Sequence, residues 1–229
     1  MRTPSPGGFM QTVLITGANR GIGLALCQTY LNKGWHVIGV CRTSTPELAQ
    51  SGAEVISGID VTDAKALAQL TTALGQRQLN LVINNAGILR REALGQLDAA
   101  SITGQFLVNA LAPLKVTEAL LDHLAPSAKV AFITSRMGSI ADNSSGGYYG
   151  YRMSKAALNA GAMSLARDLQ PRGIAVAILH PGYVQTAMVN FGGDISAHES
   201  AQRLSQRIDD LNLDNSGGFW HSNGERLPW

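Results

Sequence analysis

The chain has 229 residues, of which 45% are hydrophobic and 15% are charged, enough apolar material for one sizeable core. Its formal net charge is +2, from 18 basic and 16 acidic residues, with no block of lysine or arginine. This balance gives no electrostatic argument for binding nucleic acid or an anionic membrane surface. No apolar stretch approaches the roughly 20 residues of a membrane-spanning helix. We therefore expect neither nucleic acid nor a membrane as a partner.

The two cysteines indicate a reducing compartment. Cys27 and Cys41 lie in apolar runs and form neither a C-x-x-C pattern nor a metal-ligand pattern. The cytoplasm is the simplest predicted location. The first nine residues lack the apolar segment of a signal peptide, so residues 1–10 are predicted to be a loose extension before a single domain over 11–229. The five histidines lack ligand spacing, and no metal site is predicted.

Short apolar segments alternate with segments of helical periodicity along the chain. Several of the short segments are apolar at consecutive positions, as in strands covered on both faces. A long helix is predicted over about 98–124. The alternation predicts right-handed β-α-β crossovers, and hence an α/β fold: a single doubly wound Rossmann domain with a parallel sheet and helices on both faces. The predicted strands are 12–16, 36–40, 54–59, 79–84, 129–134 and 174–179.

A glycine-rich turn directly follows the first predicted strand. Gly17, Gly21 and Gly23 have the spacing G-x-x-x-G-x-G, which differs from the commoner G-x-G-x-x-G. Glycines allow a tight turn and let backbone N–H groups approach a pyrophosphate at the positive end of a helix. A glycine cluster alone also fits an ordinary turn. Its place at the first strand–helix junction favours a dinucleotide site.

The end of the second strand lacks the acidic residue that binds the ribose 2′-hydroxyl of NAD. Cys41 and Arg42 stand there, and Arg20 in the glycine-rich turn adds a second cation. Two guanidinium groups suit a 2′-phosphate. The alternative is that both arginines are solvated surface charges. We expect NADP(H) as the preferred cofactor, with NAD(H) as the second choice.

Polar residues also end the third and fourth strands. Asp60 is suited to accept a hydrogen bond from the adenine amino group or to cap the next helix, a role that Asp63 fits better. Residues 84–87 offer small side chains where a cofactor would cross the edge of the sheet. As an isolated tetrapeptide they would form an ordinary turn.

A serine, a tyrosine and a lysine form the candidate catalytic group. Ser135 follows the fifth strand, and Tyr151 and Lys155 are spaced i, i+4 on one face of a helix. A nearby ammonium group should lower the tyrosine pKa from its ordinary value of ~10, which suits a general acid or base. Ser135 would orient the substrate oxygen. Asn109 lies in an apolar helical segment, where burial is costly unless the amide is hydrogen-bonded.

In this order, these residues resemble the short-chain dehydrogenase/reductase family from about Gln11 to the end of the chain. The segment 135–140 and the residues from 216 onward look like the bacterial C-factor subgroup, which is related to sniffer-type carbonyl reductases. Two segments depart from the family pattern. The one between Ser135 and Tyr151 is longer, with a Gly/Ser/Asn-rich run at 143–147, and the one after Gly182 is short and leaves little chain for a substrate lid. The matching pieces are residues 16–23, Asp60, residues 84–87, Asn109, Ser135, Tyr151, Lys155, Pro181 and Gly182.

The resemblance implies a role for each matching position. Tyr151 would be the proton donor to a carbonyl, Lys155 would bind the nicotinamide ribose and lower the tyrosine pKa, and Asn109 would hold a water in a proton relay. A seventh strand near 218–220 is implied as well. The implied catalytic residues are Asn109, Ser135, Tyr151 and Lys155. The predicted cofactor-binding residues are Gly17, Asn19, Arg20, Gly21, Ile22, Gly23, Arg42, Asp60, Val61, Asn85, Ala86, Gly87, Tyr151, Lys155, Pro181, Gly182, Val184 and Thr186.

The predicted function is the NADP(H)-dependent reduction of a ketone or aldehyde to an alcohol, with a small carbonyl or alcohol as substrate. A homodimer or homotetramer is implied, because family members often pair through the helices that carry Asn109 and Tyr151. The alternative is a C-factor-like signalling or regulatory protein that binds dinucleotide with little turnover. A nucleotide-sugar epimerase shares the Tyr/Lys pair but usually has a larger C-terminal substrate domain, so it ranks last.

Overall fold

The computed structural model describes residues 10–229. Residues 1–9 lie outside the described residues, so of the predicted extension over 1–10 the structure describes Met10 alone, which is exposed. The rest of the chain forms one sheet and the helices that cover it.

Seven parallel strands form the sheet in the order β3-β2-β1-β4-β5-β6-β7. From β1 the strands are added toward one edge of the sheet, and from β4 they are added toward the other edge. This change of direction opens a crevice at the carboxyl ends of β1 and β4, where ligands bind in such sheets. The predicted doubly wound α/β fold is confirmed. The strands are β1 (Thr12–Thr16), β2 (His36–Val40), β3 (Glu54–Ile56), β4 (Leu79–Asn84), β5 (Leu124–Ile133), β6 (Ala175–His180) and β7 (Phe219–His221).

Helices cover both faces of the sheet, which explains why the strands are apolar at consecutive positions. Leu14 faces one side with Phe132, where α3, α5 and α6 pack, while Val13 and Ile15 face α1 and α7. The helices are α1 (Gly21–Asn32), α2 (Pro46–Ala49), α3 (Ala64–Leu74), α4 (Ala99–Phe106), α5 (Ala112–Ala119), α6 (Tyr149–Leu169) and α7 (Ala197–Asp209).

The prediction of one continuous helix over 98–124 is wrong at the centre of this range and at its end. A π-helical turn, Leu107–Leu111, separates α4 from α5, a 3-10 turn over Leu121–His123 follows, and Leu124 is already the first residue of β5. Short apolar runs have the same appearance in a buried helix and a buried strand, so the leucine spacing did not mark this change. β3 also stops three residues early, at Ile56, before Gly58 turns with φ +82°.

Candidate active site

The predicted catalytic residues meet at the carboxyl end of β5. Ser135 begins the 3-10 turn Arg136–Gly138, and its hydroxyl accepts a hydrogen bond from the Met137 amide at 3.2 Å. Tyr151 and Lys155 lie one turn apart near the start of α6, and both side chains are buried. The hydroxyl of Ser135 lies near the phenol of Tyr151. The structure therefore brings together three side chains that the sequence separates by twenty residues.

A glycine allows this close approach between the turn after β5 and α6. A methyl group on Gly138 would lie 2.8 Å from the carbonyl carbon of Lys155 and 2.9 Å from its oxygen. Because both are backbone atoms, neither can move without shifting the helix. Gly138 thus fixes the distance between Ser135 and the helix that carries Tyr151.

Burial controls the protonation of the tyrosine and the lysine. It raises the pKa of Tyr151, while the nearby Ser135 lowers this pKa by less. Burial also lowers the pKa of Lys155 to about 8. The ammonium nitrogen lies 5.9 Å from the centroid of the Tyr151 ring and donates to the carbonyl of Ile133 at 2.9 Å. The expected lowering of the Tyr151 pKa by Lys155 is therefore wrong for this structure, because desolvation of the phenolate is the largest influence on that pKa and raises it.

Asn109 lies in the π-helical turn and is fully buried. Its side-chain amide donates to the Ile88 carbonyl at 2.8 Å and to the Ser154 hydroxyl at 3.0 Å, and its oxygen accepts from the Ile88 amide at 2.8 Å. A methyl group on Gly87 would lie 3.2 Å from that oxygen and 3.8 Å from Nζ of Lys155. Asn109, Lys155 and the backbone at Gly87 thus converge at one point, and the burial of the amide is compensated by three hydrogen bonds.

The glycine-rich turn and the segment after β4 are joined at the crevice. The side-chain amide of Asn85 donates to the carbonyls of Thr16 and Gly17 at 3.0 and 3.2 Å, and the Ala86 amide donates to the Thr16 hydroxyl at 3.1 Å. Gly17 has φ +66°, and a methyl group there would lie 2.9 Å from the Cα atom of Ala86. A methyl group on Gly23 would lie 2.1 Å from the Gly17 oxygen. Larger residues at these two positions would force the segments apart.

The start of α1 fits a pyrophosphate group. Among residues 10–229, no side chain caps this helix from the Arg20 position, and its first turn contains no acidic residue. The first N–H groups of a helix carry a partial positive charge that an anion can satisfy. Gly21, with φ +55°, begins the helix, and a methyl group there would lie 3.3 Å from Cγ2 of Thr186. The loop after β6 therefore reaches the same crevice, and Ile22 follows in the first turn of α1.

The loop after β2 is tied to the glycine-rich turn. Asn19 donates to the Thr43 carbonyl at 3.0 Å and accepts from the Thr45 hydroxyl at 2.9 Å through its own carbonyl. This pairing brings the β2–α2 loop, which begins with Cys41 and Arg42, beside the turn that contains Arg20. Both arginines are exposed. The two cations thus lie on adjacent loops at the expected end of the crevice.

Asp60 and Val61 lie on the same side of the crevice. The Asp60 carboxylate accepts from the hydroxyl and the amide of Thr62, and these bonds lower its pKa, with the charge of Arg42 as a smaller cause. Asp63 caps α3, as its position suggested, which leaves Asp60 outside the helix. Val61 is half-buried and lines a narrow crevice together with Thr16 and Ala86.

The loop after β6 is short and closed on itself. The carbonyl of Pro181 accepts from the hydroxyls of Ser200 and Ser222 at 2.8 and 3.1 Å, and Gly182 turns with φ +95°. Val184 is buried and pairs with Ile195. The Asp194 amide also donates to the Tyr183 carbonyl at 2.7 Å. These bonds close residues 186–192 into a small loop whose exposed apolar side chains are Met188 and Phe191.

Two residues of this region carried no signal in the sequence. Ser154 donates to the Tyr151 carbonyl at 2.8 Å and accepts from Asn109, so it connects α6 to the π-helical turn. Glu92 bonds to the start of α6 from the β4–α4 loop. Neither residue has a spacing or motif that would distinguish it from a surface serine or glutamate.

Residues 11–196 match the sequence profile of the family described as short chain dehydrogenase. The chain belongs to this family of oxidoreductases. It is 38% identical over 226 residues to 1-hydroxy-2-glutathionyl-2-methyl-3-butene dehydrogenase of Rhodococcus sp. (strain AD45), covering 96% of this chain and 100% of that protein. It is also 45% identical over 154 residues to the C-signal protein of Myxococcus xanthus, covering 66% of this chain and 93% of that protein.

Solved structures of carbonyl reductases have the same fold. The carbonyl reductase Sniffer of D. melanogaster aligns with a TM-score of 0.86 and 29% identity, over 96% of this chain and 100% of that chain. The NADPH-bound carbonyl reductase from chicken fatty liver aligns equally well, with a TM-score of 0.86 and 29% identity over 96% of this chain and 99% of that chain. The resemblance to sniffer-like carbonyl reductases is therefore confirmed.

Residues 10–229 contain neither a candidate metal site nor a candidate membrane-spanning helix. No group of three or more His, Cys, Asp or Glu side chains in this part of the chain is arranged to hold a metal ion. None of its helices combines the length and the apolar character that crossing a bilayer requires.

The close contact at Gly138 predicts the effect of a single methyl group. Gly138→Ala is expected to lower the free energy of unfolding by about 1–3 kcal/mol and to reduce turnover, since Ser135 must move away from α6. Gly104→Ala in α4 is the matched control, because a methyl group there meets nothing within 4 Å. The control should be neutral or more stable by up to about 1 kcal/mol. Denaturant unfolding and activity assays measure both effects, and a Gly138→Ala protein equal to wild type would contradict the packing argument.

Proposed function

We propose that the protein is an NADPH-dependent carbonyl reductase that also oxidises the corresponding alcohol. The observation that carries the proposal is the convergence of Ser135, Tyr151 and Lys155 at the carboxyl end of β5, beside the crevice formed by the glycine-rich turn. Family membership supports the reaction class. The proposed catalytic unit is the single domain over 11–229.

The proposed mechanism follows from hydrogen bonding and burial. Bound NADPH supplies the hydride for the carbonyl carbon. Ser135 and Tyr151 donate hydrogen bonds to the carbonyl oxygen, where negative charge develops. Because burial raises the pKa of Tyr151, the phenol is protonated at neutral pH and is ready to transfer its proton to that oxygen.

Lys155 and Asn109 would connect the tyrosine to solvent. With a pKa of about 8, Lys155 is mostly cationic at neutral pH, which suits binding of the ribose hydroxyls and restoration of the proton to Tyr151. The side-chain oxygen of Asn109 and Nζ of Lys155 face the same point beside Gly87. A water molecule at that point would relay the proton.

The cofactor assignment rests on the two cations and on the structural relatives. Arg20 and Arg42 are exposed on neighbouring loops that Asn19 ties together. A pair of guanidinium groups suits the 2′-phosphate of NADP(H) better than the free 2′-hydroxyl of NAD(H). The chicken enzyme is an NADPH-bound carbonyl reductase, and a carbonyl reductase of Pseudomonas aeruginosa PAO1, 32% identical, is in complex with NADP.

The expected substrate is a small molecule with an apolar substituent beside its carbonyl group. The closed loop over 186–192 follows β6, the strand beside β5, and exposes the side chains of Met188 and Phe191. The Rhodococcus relative is named as a dehydrogenase of a glutathionyl alcohol, which is compatible with an alcohol or carbonyl substrate larger than a simple aldehyde.

A signalling role is the second candidate function, because the C-signal protein of Myxococcus xanthus is 45% identical over 154 residues. The presence of all four candidate catalytic residues favours turnover.

The buried free thiols of Cys27 and Cys41 support a reducing, cytoplasmic location.

Replacing the proton donor tests the mechanism. Tyr151→Phe keeps the ring but removes the phenol, so kcat should fall by at least about 100-fold while the Kd for NADPH changes by less than about threefold. Steady-state kinetics and nicotinamide fluorescence measure the two quantities. Tyr149→Phe, two residues earlier at the first residue of α6, is the matched control and should retain activity. Wild-type turnover by Tyr151→Phe would refute the assigned proton donor.

Reversing a charge on the β2–α2 loop tests the cofactor preference. Arg42→Asp should weaken NADPH binding roughly tenfold or more, because a charge-assisted bond to the 2′-phosphate is replaced by repulsion. NADH binding should be unchanged or stronger. Arg172→Asp, far from the crevice, controls for the change in net charge. An unaltered NADPH-to-NADH ratio of Kd values would disprove the assignment.

A homodimer or homotetramer is proposed from the apolar side chains exposed on the helices beside the active site. Leu107 and Leu111 are 42% and 41% exposed, and Met153 on α6 is 57% exposed. Leu111→Lys is expected to shift the protein toward monomer in sedimentation velocity, because a charge would be buried at the interface. Leu213→Lys, at a residue equally exposed before β7, is the control. A Leu111→Lys protein with the wild-type sedimentation coefficient would argue against this interface.

A further inference from the structure

The carboxylate of Glu92 is buried between α4 and the start of α6, and the side chain is only 5% exposed. One oxygen, Oε1, accepts from the Ser101 hydroxyl at 2.6 Å and from the side-chain amide of Gln105 at 2.7 Å. The other oxygen, Oε2, accepts from the backbone N–H of Gly150 at 3.0 Å. Glu92 therefore bridges two side chains of α4 and the backbone of α6.

Glu92 supplies the cap that α6 lacks. The residue before this helix is Tyr148, which has φ +52° and whose side chain forms no capping bond among the described residues. The first N–H groups of a helix need an acceptor. Glu92 provides two: its carboxylate bonds to the Gly150 amide, and its backbone carbonyl accepts from the Tyr148 amide at 3.0 Å. Tyr151 is the next residue after Gly150.

The contact leaves no space for another side chain at position 150. A methyl group on Gly150 would lie 2.5 Å from Nε2 of Gln105, 3.0 Å from the Cα atom of Ile102 and 3.2 Å from Oε1 of Glu92. At Gly150, the residue before Tyr151, the backbone of α6 therefore lies directly against Ile102 and Gln105 of α4. A small movement of the carboxylate would move the start of α6 directly.

The charge of Glu92 is balanced by dipoles. Glu92 takes part in none of the salt bridges formed by residues 10–229. A buried carboxylate without a cation is stabilised by three hydrogen-bond donors and by the positive end of the α6 dipole. A neutral glutamine would fill the same space but would lose an acceptor for one of these donors, and a shorter aspartate would not reach all three.

Glu92 also lies at the end of a loop that begins at the cofactor crevice. Asn109 holds both backbone groups of Ile88, and the Gln105 oxygen accepts from the Arg90 amide at 2.9 Å. The loop from Gly87 to Glu92 is thus bonded to α4 and the π-helical turn at every second residue. It connects the edge where the cofactor would lie to the helix that carries Tyr151.

We infer that Glu92 is a positioning residue for catalysis: its buried carboxylate fixes the first turn of α6 and thereby the location of the Tyr151 phenol relative to Ser135. The inference rests on the proposed reductase function, because it assigns the purpose of the contact to proton transfer. A misplacement of a catalytic group by a fraction of an ångström reduces turnover without requiring any loss of substrate or cofactor binding.

Glu92→Gln tests the inference, because it keeps the shape but offers an N–H group where an acceptor is needed. We expect kcat, expressed per NADPH-binding site, to fall roughly tenfold, with the KM values for NADPH and for the carbonyl within about twofold of wild type. Glu118→Gln, on the exposed side of α5, is the matched control and should have wild-type kinetics. An unchanged kcat in Glu92→Gln would overturn the inference, as would a fall in kcat that only follows a loss of NADPH affinity.

Hydrogen exchange of the Gly150 amide separates this inference from the reductase proposal. The amide should exchange at least about tenfold faster in Glu92→Gln, while amides of β5 keep their protection. This readout needs no substrate, so a wild-type protein that reduces no carbonyl would refute the proposed function but leave the positioning testable. Equal exchange in both proteins would overturn the positioning. If Glu92→Gln does not fold, Glu92→Asp, which keeps the charge but shortens the reach, must show the same two effects or the inference fails.

Discussion

The turn after β5 lies directly against the backbone of α6, and the active-site geometry depends on this contact. Gly138 permits it, because the carbonyl group of Lys155 occupies the space that a side chain would need. As a result, the hydroxyl of Ser135 lies near the phenol of Tyr151, and the buried ammonium group of Lys155 donates to the Ile133 carbonyl. Burial raises the pKa of Tyr151, so that its phenol stays protonated, and lowers the pKa of Lys155 to about 8.

The loops at the carboxyl ends of the strands extend this rigidity to the cofactor crevice. Asn85 is hydrogen-bonded to the glycine-rich turn, Asn109 to the backbone of Ile88, and Glu92 to the first turn of α6. These bonds run through a single stretch of chain between β4 and α4, which connects the proposed cofactor-binding edge to Tyr151, the proposed proton donor. The polar residues of this stretch are satisfied within the protein, which is the condition for burying them without a large loss of stability.

The sequence predicted most of the fold, because strands covered on both faces are apolar at consecutive positions and glycines mark the turns. It also located Ser135, Tyr151 and Lys155 at a strand end and on one helix face. It did not predict the π-helical turn at Leu107–Leu111, since leucine spacing is nearly the same in the two kinds of helix. The direction of the Tyr151 pKa shift was missed because desolvation depends on packing, and Glu92 was missed because only the folded chain brings it to Gly150, fifty-eight positions away.

The most direct test of the proposed reductase function is a titration of the purified protein with NADPH and with NADH, in which nicotinamide fluorescence reports binding. NADPH oxidation is then measured after a panel of ketones and aldehydes is added. We expect tighter binding of NADPH than of NADH and stoichiometric oxidation of NADPH with at least one carbonyl. Binding without turnover across a broad panel would favour the signalling alternative. Failure to bind either nucleotide would contradict the assignment of the crevice between Gly17 and Lys155.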